Sequence, residues 1–339
     1  WTIDYLFKAA TFKFVNINQN ELNSLFSSIV SSQFEPILYL FIFLLATGLV
    51  VIAGVEKGIE KYSKIMMPAL FIMVIIIAIR SITLPGSAAG ISFLFKPDFS
   101  QVTSKTVLDA MGQAFFSLSL GMGCILTYAS YVNKRENIVN TSFLTAISDT
   151  LFALIAGLAI MPAVFAFGMQ PSEGPGLVFV ILPHIFEQIP LGSILAILFF
   201  FALFIAAITS SISLFEVVVA YLKEEFKFTR RRSVIITFVT CFVLGILCSL
   251  SLGILGEIKI LGLNMFDFFD KLSSNILLPL GGLLIVLFVG WRMPKVDFTD
   301  EITSGGTIKF KRWFLICTYF IIKYIAPIVV GIVMIRGLI

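Results

Sequence analysis

Residues Ala114 to Tyr131 read AFFSLSLGMGCILTYASY and sit inside an uncharged run from Ala110 to Asn133. An apolar run of roughly 20 residues is long enough to cross a bilayer as one helix. The centre of this run works against that simple reading. Gly121 and Gly123 bracket a single residue and weaken a helix, while Ser117 and Ser119 offer hydroxyls that compete for backbone groups. Two readings follow from the spacing. Small residues can let neighbouring helices pack closely. Alternatively the helix breaks here, and freed carbonyl and N–H groups face the interior, where they can bind ions or a carboxylate.

Moving outward, other uncharged stretches run from Leu151 to Gly168, Leu191 to Phe215, Ser233 to Gly256 and Leu272 to Gly290. With the less regular ends included, the expected spans are 36–55, 65–84, 106–132, 140–168, 191–222, 232–256, 265–291 and 313–338. The first has Pro36 at the permitted first turn, and the last is interrupted by Lys323. Residues 1–14 are too short to span and read as the outer end of a helix that begins upstream, in a chain expected to be a fragment. Residues 1–339 are therefore expected to form one polytopic transmembrane domain. Composition agrees: 58% of the chain is hydrophobic and 13% charged, about half the charge of a water-soluble domain.

Loop charge gives an orientation. Lys57, Lys61 and Lys64, then Lys134 and Arg135, then Lys223, Lys227 and Arg230 to Arg232, then Arg292, Lys295, Lys309, Lys311 and Arg312 occupy alternate loops. The loops between them are poor in Lys and Arg, so the first set is read as cytoplasmic. The long Gly/Pro-rich outer loops, Gly86 to Lys105 and Met169 to Pro190, suit external lids or gates. A net charge of +4 makes no case for a nucleic-acid partner. The four cysteines lie in apolar runs without ligand spacing and read as small hydrophobes. No nucleophile–base pair or metal-ligand cluster is evident at membrane depth, so an enzyme is not expected.

Two further polar groups lie within apolar runs. Ala206-Ala207-Ile208-Thr209-Ser210-Ser211 places hydroxyls in the middle of a span, with Ala206 and Thr209 on one helix face. Hydroxyl and carbonyl oxygens suit a hard monovalent cation; they also suit simple back-bonding to the preceding turn. Asp149 stands just inside a span, where it either meets a cation or serves as a first-turn acid favoured by the helix dipole. Asp267 and Asp270 begin another span from the outer side, either as vestibule groups or as solvated first-turn acids.

The run Ala114–Tyr131 resembles the broken sixth helix of bacterial neurotransmitter:sodium symporters, and Ala206–Ser211 resembles their eighth helix. Gly58 with Pro68, Lys96 to Phe99, and Met265 to Trp291 also resemble members of that family, in order along essentially the whole chain. The resemblance implies an all-α membrane fold of inverted five-helix repeats with broken helices, here the end of helix 3 through helix 11. It implies that Phe116 is a lid over the substrate and that Ser117 both lines the pocket and binds a first sodium with Asp149. Ser119 and the backbone of Gly121 to Gly123 would lie beside the substrate, with Met122 lining the side-chain pocket. The Ala206 carbonyl, Thr209 and Ser210 would bind a second sodium, and Ser210 and Leu214 would border the substrate. Asp267 would form part of an extracellular gate, and Gly58 and Pro68 would permit unwinding at the cytoplasmic side.

Sodium is thus the implied co-substrate, at two sites that the resemblance implies are both incomplete in this chain. Chloride-independent members often carry an acid one turn after the position of Asp149; Ala153 stands there and Asp149 could itself carry the charge, which leaves chloride dependence open. The implied function is symport of a neutral amino acid, hydrophobic or aromatic in side chain, across the bacterial inner membrane by alternating access. The partners are then the amino acid and the lipid bilayer, with oligomeric state unspecified. A sodium-independent exchanger of the same architecture, or a non-transporting sensor, is the alternative.

Overall fold

A computed structural model describes residues 1–15, 17–54, 59–132, 136–169 and 174–338. The described secondary structure is helical apart from one isolated bridge between Ile260 and Leu263. In chain order the helices are α1 Thr2–Ala10, α2 Gln19–Ser31, α3 Glu35–Ile52, α4 Lys61–Ile82 and α5 Ala88–Phe95. Then come α6 Ser104–Ser117, α7 Cys124–Ala129, α8 Ile138–Ala166, α9 Leu182–Gln188, α10 Gly192–Glu225 and α11 Arg230–Leu250. The last are α12 Met265–Lys271, α13 Leu278–Leu287, α14 Lys295–Ile302, α15 Arg312–Phe320 and α16 Ala326–Leu338. Wide π-turns at Leu272–Leu277 and Phe288–Arg292 extend α13 at both ends, and another at Ile321–Ile325 joins α15 to α16.

Among the described residues seven helices are long and apolar enough to cross a membrane. They are Glu35–Ile52, Lys61–Ile82, Ile138–Ala166, Gly192–Glu225, Arg230–Leu250, Met265–Arg292 and Arg312–Ile335. The chain is a multi-pass membrane protein. Residues 104–129 carry an apolar run of similar length but divide into α6 and α7, so neither half spans alone. The two outer loops are partly helical: α5 lies in one, and a π-turn at Leu177–Ile181 with α9 in the other.

Local sequence explains the helix ends. Asn18 accepts from the Glu21 N–H while Glu21 accepts from the Asn18 N–H, which closes both ends of a capping box on α2. Thr103 and Thr106 do the same for α6, and Thr229 caps α11. Pro36 and Pro183 occupy first-turn positions in α3 and α9, where no N–H is needed.

The chain divides into two compact units. One comprises Trp1–Pro97 with Phe152–Phe266, the other Asp98–Leu151 with Asp267–Ile339. In the first unit α10 is the central element, packed on α1, α3, α4, α9 and α11. Its core is aromatic: Tyr5, Phe14, Phe179 and Phe200 are all buried, and Tyr5 and Phe200 each contact the other three rings. Charges inside this unit are paired. Lys8 bonds Asp4 within α1 and reaches Glu35 of α3 at 3.0 Å. Glu216 of α10, fully buried, accepts two bonds from Arg230 at 3.1 and 2.6 Å, while Arg230 Nε donates to the Val51 carbonyl at the end of α3. One guanidinium therefore joins three spanning helices. In the second unit α13 packs on α16 and α6.

Candidate functional site

In the second unit the regular helix stops at Ser117. Leu118 N–H still bonds Ala114 O; Ser119 then bonds Phe116 O and Leu120 bonds Phe115 O, before the ladder resumes with Thr127 to Gly123 O. Three residues in this short segment hold left-handed backbone, Ser119 at φ 53°, Gly121 at 79° and Gly123 at 81°. The structure takes the broken reading of the Gly-Met-Gly run. A left-handed serine costs free energy that its surroundings must offset, a feature that gathers at binding sites. The break leaves the last carbonyls of α6 and the first N–H groups of α7 outside a continuous ladder.

Gly121 is fixed by packing as well as by conformation. A Cβ there would lie 2.1 Å from the Leu278 carbonyl oxygen and 2.8 Å from the Gly282 nitrogen. From the other side, a Cβ on Gly281 would meet the Gly121 oxygen at 2.3 Å. Backbone thus lies on backbone where the helix opens, and Gly281 and Gly282 of α13 form the bed. Their role is not assigned by the sequence reading above, although a Gly-Gly pair in an apolar helix is a signal of close approach.

Directly beside the break, Ser117 Oγ donates to Asp149 of α8, 2.7 Å from each carboxylate oxygen. The structure brings together two residues 32 positions apart in sequence, and their oxygens form one acidic cluster. Phe116 is 55% exposed next to it, while Ser119, Gly121 and Met122 are half-buried along the open segment.

In the first unit, one turn of α10 gathers three oxygens. Thr209 Oγ1 donates to the Ile205 and Ala206 carbonyls, each at 3.0 Å, and Ser210 Oγ donates to the same Ala206 carbonyl at 3.1 Å. Back-bonding, one of the two readings of these residues, is therefore present. It also concentrates the Ala206 oxygen and both hydroxyl oxygens, whose lone pairs can still accept. Thr209 is buried, Ser210 is exposed, and Leu214 lies one turn further along, 47% exposed. Buried Thr47 of α3 stands behind this turn, its hydroxyl 3.2 Å from Ser211 Oγ and donating to Phe43 O. Nothing in the local sequence pairs Thr47 with a residue 164 positions away.

The remaining candidates are Asp267, Pro68 and Gly58. Asp267 lies exposed in the first turn of α12. Pro68 is inside α4, which continues through it to Ile82. Gly58 lies outside the described residues.

The sequence model that matches, over residues 9–339, is that of the sodium:neurotransmitter symporter family. The chain belongs to this family. It is 38% identical over 336 residues to an uncharacterised sodium-dependent transporter, YhdH, of Bacillus subtilis, covering 98% of the chain and 73% of the relative. A sodium-dependent transporter of Haemophilus influenzae is 38% identical over 310 residues, covering 91% of the chain and 66% of the relative. The sodium-dependent dopamine transporter of Bos taurus is 25% identical over 282 residues, covering 78% and 39%. Among solved structures, MhsT in complex with L-phenylalanine matches 99% of the chain and 76% of its own, with 41% identity and a TM-score of 0.88. The symporter fold with broken helices, implied by the resemblance of Ala114–Tyr131, is therefore the fold of this chain. The first three of these relatives are each described as a sodium-dependent transporter.

Proposed function

We propose that the chain carries the sodium and substrate machinery of a symporter for a neutral amino acid with an apolar or aromatic side chain. The observation that carries this reading is the Ser117–Asp149 cluster set directly against the open segment Leu118–Gly123. Sodium is written here as cargo: it moves with the amino acid and drives it.

The donor chemistry fits that cargo. A hard monovalent cation prefers oxygen, and carboxylate, hydroxyl and carbonyl oxygens supply it. In the second unit, Ser117 and Asp149 would hold the first sodium, the lone pairs of the Ser117 hydroxyl oxygen serving as ligands. Phe116, Ser119 and Met122, with the backbone from Gly121 to Gly123, are that unit's proposed substrate-facing groups. The positive N-terminal end of a helix favours an anionic group such as a carboxylate. Met122 provides an unbranched, polarisable wall that adapts to bulky apolar side chains. L-phenylalanine in MhsT, at 41% identity, supports the same substrate class. In the first unit, the Ala206 carbonyl, Thr209 and Ser210 would hold the second sodium, with Ser210 and Leu214 facing substrate. Asp267 would act in external gating, and Pro68 with Gly58 in cytoplasmic opening. Ions that bind an occluded state more tightly than an inward-open one shift the balance between them, and that difference is what couples sodium to substrate.

The test is uptake of labelled L-phenylalanine, L-tryptophan and L-leucine by cells or proteoliposomes bearing the full-length parent protein. Uptake should collapse when choline replaces sodium. Uptake unchanged in choline would make the protein a sodium-independent exchanger, and the symport reading would fall. Replacing chloride with gluconate in the same assay reads chloride dependence directly.

A further inference from the structure

Lys323 interrupts the last apolar span, and neither sodium nor substrate handling uses it. It lies in the π-turn Ile321–Ile325 between α15 and α16, half-buried, on the level of the π-turn that ends the preceding span. The two turns touch closely. A Cβ on Gly290 would lie 2.8 Å from the Lys323 Cα, Trp291 Nε1 donates to the Lys323 carbonyl at 2.9 Å, and Tyr319 Oη donates to the Gly290 carbonyl at 3.0 Å.

This framework holds three rings around the ammonium: Nζ is 4.8 Å from the Trp291 ring centre and 5.7 Å from those of Tyr319 and Tyr324. A second ammonium, on exposed Lys295, lies 5.0 Å from the same Tyr319 ring, and exposed Arg292 follows Trp291 in the chain. Among the described residues neither lysine forms an ion pair, and no protein oxygen accepts from Lys323 Nζ. Aromatic faces attract the charge but leave three N–H donors without an acceptor. A cation held at partial burial without an anion is costly, so the geometry points to an anion supplied from outside the chain.

We propose that Lys323, framed by Trp291, Tyr319 and Tyr324, binds the phosphate of an anionic phospholipid. Lys295 and Arg292 would raise the local positive potential. The position favours a lipid over a soluble anion. Trp291 is 61% and Tyr324 43% exposed on helices whose outer surface is apolar, and Trp and Tyr collect at the headgroup level of bilayers. Arg292 and Lys295 belong to a basic inter-span loop, which loop charge assigns to the cytoplasmic side, where anionic headgroups attract basic clusters. This inference stands on the second unit alone and does not depend on the transport reading.

The full-length protein would be examined by native mass spectrometry after incubation with dioleoylphosphatidylglycerol or dioleoylphosphatidylcholine. Wild-type protein should retain phosphatidylglycerol in preference to phosphatidylcholine. Lys323→Met, which keeps the apolar stem, should weaken that retention about fivefold and leave phosphatidylcholine unchanged. Lys323→Arg should restore it. Equal phosphatidylglycerol retention by Lys323→Met, or equal retention of both lipids by wild type, would overturn the proposal. Competition by millimolar glycerol 3-phosphate would also overturn it, by reassigning the site to a free phosphate. If Lys323→Met does not fold, the thermal midpoint of the wild type decides. It should rise with phosphatidylglycerol and not with phosphatidylcholine; an equal response to both would count against the site.

Discussion

Gly121 shows how one residue sets local architecture by two separate constraints. Its φ of 79° is disfavoured for any side chain, and the space a Cβ would take is filled by the Leu278 carbonyl. Gly121→Ala is expected to destabilise the protein by about 2–5 kcal/mol, adding a left-handed alanine to an overpacked contact. Thermal unfolding in detergent would read this loss; a shift within error would mean that the opening can slide along α13. Ser119 differs, because it holds φ 53° with a side chain present. Its strain is retained beside the Ser117–Asp149 cluster rather than relieved by glycine. Sequence marked Gly121, Gly123 and the two serines as unusual for a spanning helix. It did not reveal that the bed beneath Gly121 is Gly281 and Gly282, because those residues lie far along the chain.

At the scale of elements, α10 organises the first unit, and its inner end is fastened by Glu216. The carboxylate is fully buried, and Arg230 satisfies it while also closing the last turn of α3 through Val51 O. Removing the cation alone takes both guanidinium bonds from a buried charge. Arg230→Met should therefore cost about 3–5 kcal/mol, and adding Glu216→Gln should recover much of it, since replacing both members of a buried pair is far less harmful than removing one. Unfolding midpoints of the single and double variants test this. If the double variant is no better than the single one, the contact to Val51 O carries the stability instead of the ion pair. Apolar run length alone made these helices legible. The Lys8–Asp4–Glu35 and Arg230–Glu216 pairings were not, because charge at the end of a run reads equally well as a solvated loop until the partner helix is in place.

For the whole molecule, the proposed sodium coupling makes stability depend on the ion. An ion that binds only the folded protein, at a hundredfold excess over its dissociation constant, stabilises it by about 2.7 kcal/mol. The full-length protein should accordingly melt higher in sodium than in choline at equal ionic strength. Thr209→Ala combined with Ser210→Ala should remove the second site's share of that difference while leaving the choline midpoint near its original value. A sodium-dependent rise that survives both substitutions intact would sink the assignment of the second ion to α10.

The sequence by itself determined that this chain lives in lipid, and it supplied the expected spans and the loops read as cytoplasmic. Those properties follow from transfer free energy summed along a segment, and each segment carries its own sum. It also flagged the helix around Gly121 as one of two things, packed or broken. Tertiary structure decided between them, because a helix opens only where a neighbour, here the backbone of Leu278 to Gly282, takes the place of the lost regularity. It likewise joined Ser117 to Asp149, set Thr47 behind Ser211, and put three rings around Lys323. Each of those arrangements, the last through Trp291, depends on two segments arriving at one point, and no local pattern in either segment encodes the other's position.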